Sequence, residues 1–336
     1  MKAWQIQDQF GLNHLDLVDI PAPKLKSGEV LLKMQAASLN YRDLITVEGG
    51  YGKTIKTPLI PCSDGVGVVV ECGPDTSLFK VGDRLCPSFF PNWKEGPARP
   101  GGLPNALGGS YSGTLCEYMA VSETACVRSP DHLSAPEAAS LPCAALTAWS
   151  ALFELTSLRS SDCLVIQGTG GVALCALQFA KAAGASVLIT SSSDEKLERA
   201  KALGADHLIN YRSEPQWDRL VKKIWPQGAD HVIELGGAQT LEQSLRATRI
   251  GGHISLIGVL SGTNINQISL PLILMRNICI QGVTVGSRNA FERMNKFISQ
   301  HKITPIVDQA FPFDEAKEAF RYLEKGVHFG KVCVEF

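Results

Sequence analysis

One stretch, CLVIQGTGGVALCALQFAKAAG (residues 163–184), decides the class of fold. It begins with a short apolar run of strand length, CLVIQ, and continues after a glycine-rich turn as a helical pattern that Gly184 closes. A second apolar run, SVLITSS, follows at residues 186–192. A strand, a helix and a second strand in this order predict a βαβ unit and therefore a parallel sheet.

The same alternation continues toward the C-terminus. It consists of the helical patterns DEKLERAKALG (194–204) and TLEQSLRATR (240–249) and the strand-like runs DHVIEL (230–235), HISLIG (253–258) and ICIQGVTVG (278–286). This order predicts an α/β domain with helices covering a parallel sheet. Two amphipathic helices, around residues 291–302 and 314–325, then precede a strand, KVCVEF (331–336). By pattern alone, this strand could join either the parallel sheet or a separate N-terminal domain.

Residues 1 to about 135 carry short β-rich runs separated by Gly and Pro, such as EVLLKMQAAS and GVGVVVEC. They predict a β-rich or barrel-like domain. Inside it, a long Gly- and Pro-rich segment at residues 87–113 contains Phe89, Phe90 and Trp93. These rings form either an apolar wall over a ligand or a small core beneath a long loop.

Composition limits the class of protein. A chain of 336 residues, 45% hydrophobic and 19% charged, can bury a large core and is long enough for two domains. Its formal net charge of -1 argues against nucleic acid as a partner. No apolar run approaches the roughly 20 residues that span a bilayer, and the first residues lack a signal-peptide pattern, so we expect no membrane association and a cytoplasmic location. The ten scattered cysteines are expected to be reduced thiols.

The glycine-rich turn is the first candidate binding site. Gly168, Thr169, Gly170, Gly171 and Val172 lie between a predicted strand and a predicted helix. Glycines there allow a tight turn and let backbone N–H groups approach a pyrophosphate, whose charge also meets the helix N-terminus. A glycine turn without a ligand is the alternative, but the flanking strand–helix–strand pattern favours dinucleotide binding.

The end of the second strand bears on which dinucleotide binds. NAD-binding versions of this motif carry an acidic residue there, whereas this chain has Ser191, Ser192 and Ser193. Small hydroxyl side chains leave room for a 2′-phosphate, and Lys196 and Tyr211 are further candidates to contact it. The pattern favours NADPH. In the alternative interpretation, Ser193 caps the following helix and Lys196 is simply solvated.

Taken together, the motifs resemble the medium-chain dehydrogenase/reductase superfamily, and particularly its zinc-free quinone-oxidoreductase-like branch. They occur in order along nearly the whole chain: NYRDLITVEGGY, PLIPCSDGVGVVVECG, VGDRL, LPCAALTAWSAL, QGTGG and SSSDEKLERAKALGADHLINYR. The resemblance implies a GroES-like catalytic domain from residues 1–143 and 287–336, with a Rossmann NADP-binding domain, residues 144–286, inserted between them. It also implies that KVCVEF returns to the catalytic domain.

The resemblance further implies cofactor contacts. Thr147 matches a position near the nicotinamide, and Ser192, Lys196 and Tyr211 match positions that hold the 2′-phosphate in NADPH-using members. Residues at other strand ends match positions that line the ribose and carboxamide. These are Gly236, Gly237, Gly258, Val259, Leu260, Val283 and Val285.

The zinc ligands of the metal-containing members are replaced in this chain. Those members use a Cys, a His-Glu pair and a second Cys, where this sequence has Asn40, Ser63-Asp64 and Cys143. A single thiolate cannot replace a three-ligand site, so we expect no catalytic metal. The four closely spaced cysteines of a structural zinc site have no counterpart either.

Loss of a Lewis acid makes oxidation of simple alcohols unfavourable and points to a substrate that delocalises charge itself, a small hydrophobic quinone or α,β-unsaturated carbonyl. Asn40 is a candidate to hydrogen-bond the cofactor or the substrate carbonyl, and Tyr51 to donate a proton or hydrogen bond. The alternatives are a turn residue for Asn40 and a packing or surface aromatic for Tyr51.

Two other functions stay open from the sequence: a zinc-type alcohol dehydrogenase with an unusual site, and a non-catalytic NADPH-binding sensor. The resemblance also favours a homodimer, with the strand in ICIQGVTVG as a candidate interface edge.

Overall fold

The computed structural model describes residues 1–52, 55–99, 105–265 and 268–336. The chain divides into two compact units, called unit 1 (Met1–Leu146 and Val285–Phe336) and unit 2 (Thr147–Thr284). Unit 2 is therefore inserted in the sequence between the two segments of unit 1. The α/β class, with a GroES-like domain and a parallel Rossmann-type sheet, is confirmed.

Unit 1 is built mainly of strands. Its first segment contains β1 (Lys2–Ile6), β2 (Leu15–Asp19), β3 (Glu29–Leu39), α1 (Tyr41–Val47), β4 (Asp64–Cys72), β5 (Arg84–Pro87), β6 (Tyr118–Ser122), β7 (Cys126–Arg128) and α2 (Ala135–Ala139). A short helix, α3 (Leu146–Trp149), crosses the boundary to unit 2.

Unit 2 alternates strands and helices. Its elements are β8 (Cys163–Gln167), α4 (Gly171–Ala182), β9 (Ser186–Ser191), α5 (Asp194–Ala202), β10 (His207–Asn210), α6 (Trp217–Ile224), β11 (Ala229–Glu234), α7 (Leu241–Ala247), β12 (Thr248–Leu256), α8 (Leu270–Met275) and β13 (Cys279–Gly282). The second segment of unit 1 then adds α9 (Arg288–His301), β14 (Val307–Pro312), α10 (Ala316–Glu324) and β15 (Lys331–Glu335).

The main sheet of unit 1 has the strand order β14-β15-β3-β4-β5-β7, and β6 also pairs with β3. Its long central strand, β3, buries alternate side chains such as Val30, Leu32 and Met34, as expected for a strand with one face on a core. β15 pairs antiparallel with β3. The KVCVEF strand therefore returns to the N-terminal domain, as the resemblance implied.

The sheet of unit 2 has six strands in the order β10-β9-β8-β11-β12-β13, and every neighbouring pair is parallel. Its central strands are almost wholly buried, which explains why they read as continuous apolar runs rather than alternating ones. Gly184 follows α4 with a φ of +85°, the left-handed conformation that commonly ends a helix. The loops after β8, β11 and β12 lie at the carboxyl edge of this sheet, where α/β folds bind ligands.

Several element predictions need correction. The strand β10 and the helix α6 were not predicted, and β13 is shorter than the run ICIQGVTVG. The helix predicted to reach residue 249 ends at Ala247, where the Thr248 hydroxyl donates to the carbonyl of Ser244 (2.6 Å) and β12 begins. Within the described ranges, no helix has both the length and the apolar character needed to cross a bilayer.

Candidate active site

The glycine-rich turn connects β8 to α4 in unit 2. Gly168 has a φ of +76°, and a Cβ atom added at Gly168 or Gly170 would meet no other heavy atom within 4 Å. The twelve-residue helix α4 starts directly after Gly170 without a side-chain cap on its first N–H groups. An open loop that exposes unfilled N–H groups at a helix N-terminus fits a pyrophosphate. Thr169 is buried and Val172 half-buried beside it.

The serines at the end of β9 include one that caps the next helix and one that is half-buried. Ser191 is buried and its hydroxyl accepts a hydrogen bond from the backbone of Ser193 (3.3 Å). The Ser193 hydroxyl accepts from the backbone N–H of Lys196 (3.3 Å), which confirms that Ser193 caps α5. Ser192 and Lys196 are half-buried in the same turn.

Tyr211 lies beside this turn. Its backbone N–H donates to the carbonyl of Ser191 (3.1 Å), and its ring is 43% exposed. The carboxylate of Asp194, the acidic group nearest in sequence to the serines, accepts from the side-chain amide of Asn210 (2.7 Å). The structure therefore brings Ser192, Lys196 and Tyr211 together at the end of β9.

The other predicted cofactor residues differ in exposure. Val259 and Leu260 are exposed on the loop after β12, whereas Thr147, Val283 and Val285 are buried. Val285 has a φ of +58°, which is unusual for a β-branched residue and indicates a constrained backbone. Gly237 also has a positive φ of +92° in the loop after β11.

Two buried polar residues beneath these loops were not predicted. Glu234, the last residue of β11, is fully buried, and Gln167, the last residue of β8, is only 6% exposed. The amide nitrogen of Gln167 donates to the Glu234 carboxylate (2.8 Å), while its carbonyl oxygen accepts from the backbone N–H groups of Leu235 and Gly236. A glutamate that ends an apolar run, as in HVIEL, was the available sequence signal.

In unit 1, Asn40 lies at the start of α1. Its side chain and that of Asp43 form a capping box, in which the backbone N–H of Asn40 donates to Asp43 (2.8 Å). The carbonyl oxygen of the Asn40 side chain accepts from the ammonium of Lys331 (2.6 Å), which also donates to the carbonyl of Leu39 (2.6 Å). Lys331 is only 4% exposed and was not predicted to belong to the site.

Asp64 completes this cluster. Its carboxylate accepts from the hydroxyl of Ser63 (2.7 Å) and from the backbone N–H of Cys143 (3.1 Å). Burial raises the pKa of Asp64, and the positive charge of Lys331 is the largest influence that opposes this rise. The chain just before Asp64 packs closely against Gly113. A Cβ atom added at Gly113 would lie only 2.0 Å from the carbonyl oxygen of Cys62. We call Asn40, Asp43, Asp64, Cys143 and Lys331 the Lys331 cluster.

Burial dominates the other titrations in this cluster. It raises the pKa of Asp43 to about 6, against the opposing charge of Arg42, whose guanidinium lies 3.2 Å from the carboxylate. Burial also raises the pKa of the Cys143 thiol far above its ordinary range. Cys143 is therefore a neutral thiol at physiological pH.

These residues do not fit a catalytic zinc ion. The oxygen of Asn40 is already bound to a lysine ammonium, and an amide oxygen is not among the thiolate, imidazole and carboxylate ligands that catalytic zinc uses. Among the residues that the structure describes, no three His, Cys, Asp or Glu side chains are arranged to hold a metal.

The remaining aromatic candidates lie in two different settings. Tyr51 follows α1 in a turn and is 42% exposed; residues 53 and 54 next to it lie outside the described residues. Phe89 and Phe90 are buried and contact each other edge to face, with 4.6 Å between ring centroids, and the Arg42 guanidinium lies 4.9 Å from the Phe89 ring centroid. This supports a small core beneath the loop.

Comparison with known proteins identifies the family. Residues 26–131 match the family described as "Alcohol dehydrogenase GroES-like domain", and residues 171–300 match "Zinc-binding dehydrogenase". The zinc-type alcohol dehydrogenase-like protein C1773.06c of Schizosaccharomyces pombe is 45% identical over 93% of this chain and 92% of its own length.

Two further relatives extend the comparison. The chloroplastic NADPH-dependent alkenal/one oxidoreductase of Arabidopsis thaliana is 30% identical over 99% of this chain and 79% of its own length. A crystal structure from Sinorhizobium meliloti 1021, described as an alcohol dehydrogenase, superposes with a TM-score of 0.93 at 41% identity and covers 100% of this chain and 98% of that one.

The fold and the site thus define an oxidoreductase. The chain belongs to the medium-chain dehydrogenase/reductase superfamily. The open loop at Gly168 and Gly170 fits the nicotinamide dinucleotide on which dehydrogenases and reductases of this kind depend.

Proposed function

We propose that the protein is a zinc-independent, NADPH-dependent oxidoreductase that transfers hydride to a quinone or an α,β-unsaturated carbonyl. The observation that carries this proposal is the Lys331 cluster, in which a buried ammonium is bound to the residue that stands at the first zinc-ligand position. With a lysine ammonium bound to this residue, the site has no Lewis acid that could stabilise an alkoxide.

A conjugated acceptor suits such a site. Its π-system spreads the charge that develops during reduction. The protein therefore needs to supply only hydrogen-bond donors and the exclusion of water. NADPH, when bound, supplies the hydride. The name of the Arabidopsis relative, an alkenal/one oxidoreductase, supports the same class of substrate.

The choice of NADPH is supported by the end of β9. Ser192, Lys196 and Tyr211 are grouped there, and Asp194 is turned toward Asn210. A lysine ammonium and hydroxyl groups can bind a 2′-phosphate, whereas a carboxylate at this place would repel it.

Asn40 is the proposed hydrogen-bond donor in unit 1. Its side-chain nitrogen interacts with the carboxyl of Asp64 and lowers the pKa of that group. A carbonyl oxygen of the substrate is the proposed alternative acceptor for this N–H group. Tyr51, with its exposed ring, is the proposed proton or hydrogen-bond donor from the turn after α1.

The test is NADPH consumption by metal-stripped protein with quinones, enals and enones, using simple aldehydes and NADH as controls. Turnover restricted to conjugated acceptors and NADPH is the expected result. Activity that appears only after zinc is added would overturn zinc independence and support the alcohol dehydrogenase alternative. NADPH binding without turnover on any acceptor would support a sensor instead.

A further inference from the structure

The carboxyl group of Glu234 is fully buried inside unit 2. It accepts hydrogen bonds from five donors: the backbone of Gly236 and Gly237 (both 2.9 Å), Thr240 Oγ1 (2.5 Å), Gln167 Nε2 (2.8 Å) and Ser244 Oγ. No ion pair of the described part of the chain includes Glu234. Such a group is tolerated in the interior only because its lone pairs are filled.

This carboxylate joins two loops that are proposed to hold the cofactor. Gln167 immediately precedes the Gly168–Gly170 turn, and its side chain binds both Glu234 and the backbone of Leu235 and Gly236. The Glu234 carboxylate binds the N–H groups of Gly236 and Gly237. The turn after β8 and the loop after β11 are thus attached to one pair of side chains.

The loop after β12 is attached to the same place through the backbone. The N–H groups of Ile257 and Gly258 donate to the carbonyl of Glu234 (3.0 and 3.1 Å), and Ser261 donates to the carbonyl of Gly236 (2.7 Å). A Cβ at Gly258 would lie 2.1 Å from the carbonyl oxygen of Leu235. The backbones are therefore in close contact, and a shift of one loop must move the other.

The geometry points to Glu234 and Gln167 as positioning residues, which fix the three cofactor loops of unit 2 at the spacing that a bound dinucleotide requires. This inference rests on the proposed function for the identity of the cofactor. Neither residue needs to touch the cofactor, because they act through the backbone of Gly168, Gly236 and Gly237.

The hydrogen-bond pattern determines what each substitution does. In Glu234→Gln, the new NH2 group must face either the fixed N–H groups of Gly236 and Gly237 or the amide NH2 of Gln167. Hydroxyl groups can rotate to become acceptors, but these nitrogen donors cannot. Gln167 must then move and release Leu235 and Gly236.

The exchanged pair, Gln167→Glu together with Glu234→Gln, restores the pattern. The amide nitrogen at position 234 donates to the carboxylate at position 167, whose second oxygen accepts from Leu235 and Gly236. The amide oxygen at position 234 still accepts from Gly236, Gly237 and Thr240. This double variant keeps one carboxylate and one amide with every donor matched to an acceptor.

The experiment measures the NADPH dissociation constant by cofactor fluorescence and the exchange of the Gly236 and Gly237 amide hydrogens. We expect Glu234→Gln to raise the dissociation constant about tenfold, and the exchanged pair to return it to within about threefold of wild type. The matched control is Glu123→Gln in unit 1, since Glu123 is also buried and accepts from two backbone N–H groups, and it should leave NADPH binding unchanged.

An unchanged dissociation constant in folded Glu234→Gln, or no recovery in the exchanged pair, would overturn the inference. If wild type does not bind NADPH, the proposed function fails, and amide exchange still decides the positioning role: faster exchange at Gly236 and Gly237 in Glu234→Gln supports it, and equal exchange rejects it. Should Glu234→Gln not fold, Gln167→Met removes only the Gln167 bonds and is judged by the same two measurements.

Discussion

Lys331 shows what a single buried side chain contributes to unit 1. Its ammonium binds two oxygens and opposes the charges of Asp43 and Asp64. Lys331→Met would remove both hydrogen bonds and leave the carboxylates less compensated, so we expect a loss of about 3 kcal/mol in the free energy of unfolding. Urea denaturation measures it.

A surface lysine supplies the control for this comparison. Lys317 lies 3.4 Å from Asp16 in a more exposed ion pair, and Lys317→Met should cost less than about 1 kcal/mol. Equal losses of unfolding free energy in the two variants would show that the buried position of Lys331 adds no stability beyond that of a surface lysine.

Asp43 should make stability depend on pH. Its pKa is about 6 in the folded protein and 3.8 as the ordinary value, so it keeps its proton in the folded state while the unfolded chain loses it. Its contribution to stability is complete below the lower pKa and is lost as pH rises through the higher one. We expect the free energy of unfolding to fall by up to about 1.4 kcal/mol per pH unit in this window.

The measurement is urea unfolding of wild type and Asp43→Asn across this pH range. Asp64 also has a raised pKa, but it titrates in both proteins, so the difference between them reports Asp43. Parallel pH profiles would contradict the prediction.

At the scale of elements, the turn between β9 and α5 should select the cofactor. Lys196→Met removes an ammonium while keeping the backbone N–H that Ser193 accepts from. We expect the dissociation constant for NADPH to rise about tenfold and that for NADH to stay within about twofold, because only NADPH carries the 2′-phosphate. Equal weakening of both cofactors would place Lys196 outside the phosphate site. Lys201→Met, later in α5, is the control.

Elements with strong local patterns could be predicted, and weaker ones could not. The βαβ unit at residues 163–191 combines buried strands, a long helix and a closing glycine, all within one short stretch. β10 has only four residues and lies at the sheet edge, so its apolar pattern is brief. The helix α6 has apolar residues at helical spacing, Trp217, Leu220, Val221 and Ile224, so the sequence did carry the signal for this element.

Site residues that are contiguous in sequence could be predicted, and those that meet only in the folded protein could not. The glycine turn and the serines after β9 are contiguous, so sequence was sufficient to propose them. Lys331 meets Asn40 across 291 positions, and Glu234 meets Gln167 across 67. Contacts between such distant residues depend on strand order, which patterns in a single sequence do not specify.

For the whole molecule, we propose the homodimer that the resemblance favoured, formed through the edge strand β13. Leu274 and Met275 of the neighbouring helix α8 are each 75% exposed, and apolar surface of this kind commonly marks an interface. Leu274→Glu should shift sedimentation toward the monomer, whereas Val81→Glu, at an exposed position in unit 1, should not. A monomeric wild type would reject the proposal.

The insertion of unit 2 within unit 1 has a consequence for biosynthesis. The ribosome completes unit 2 before it delivers β14 and β15, and β15 is the strand that pairs with β3 and carries Lys331. A released chain that ends at Thr284 should therefore contain a protease-resistant unit 2 while residues 1–146 are still digested, which pulse proteolysis can show. The earliest part of the chain to be translated is therefore the last to reach its native state.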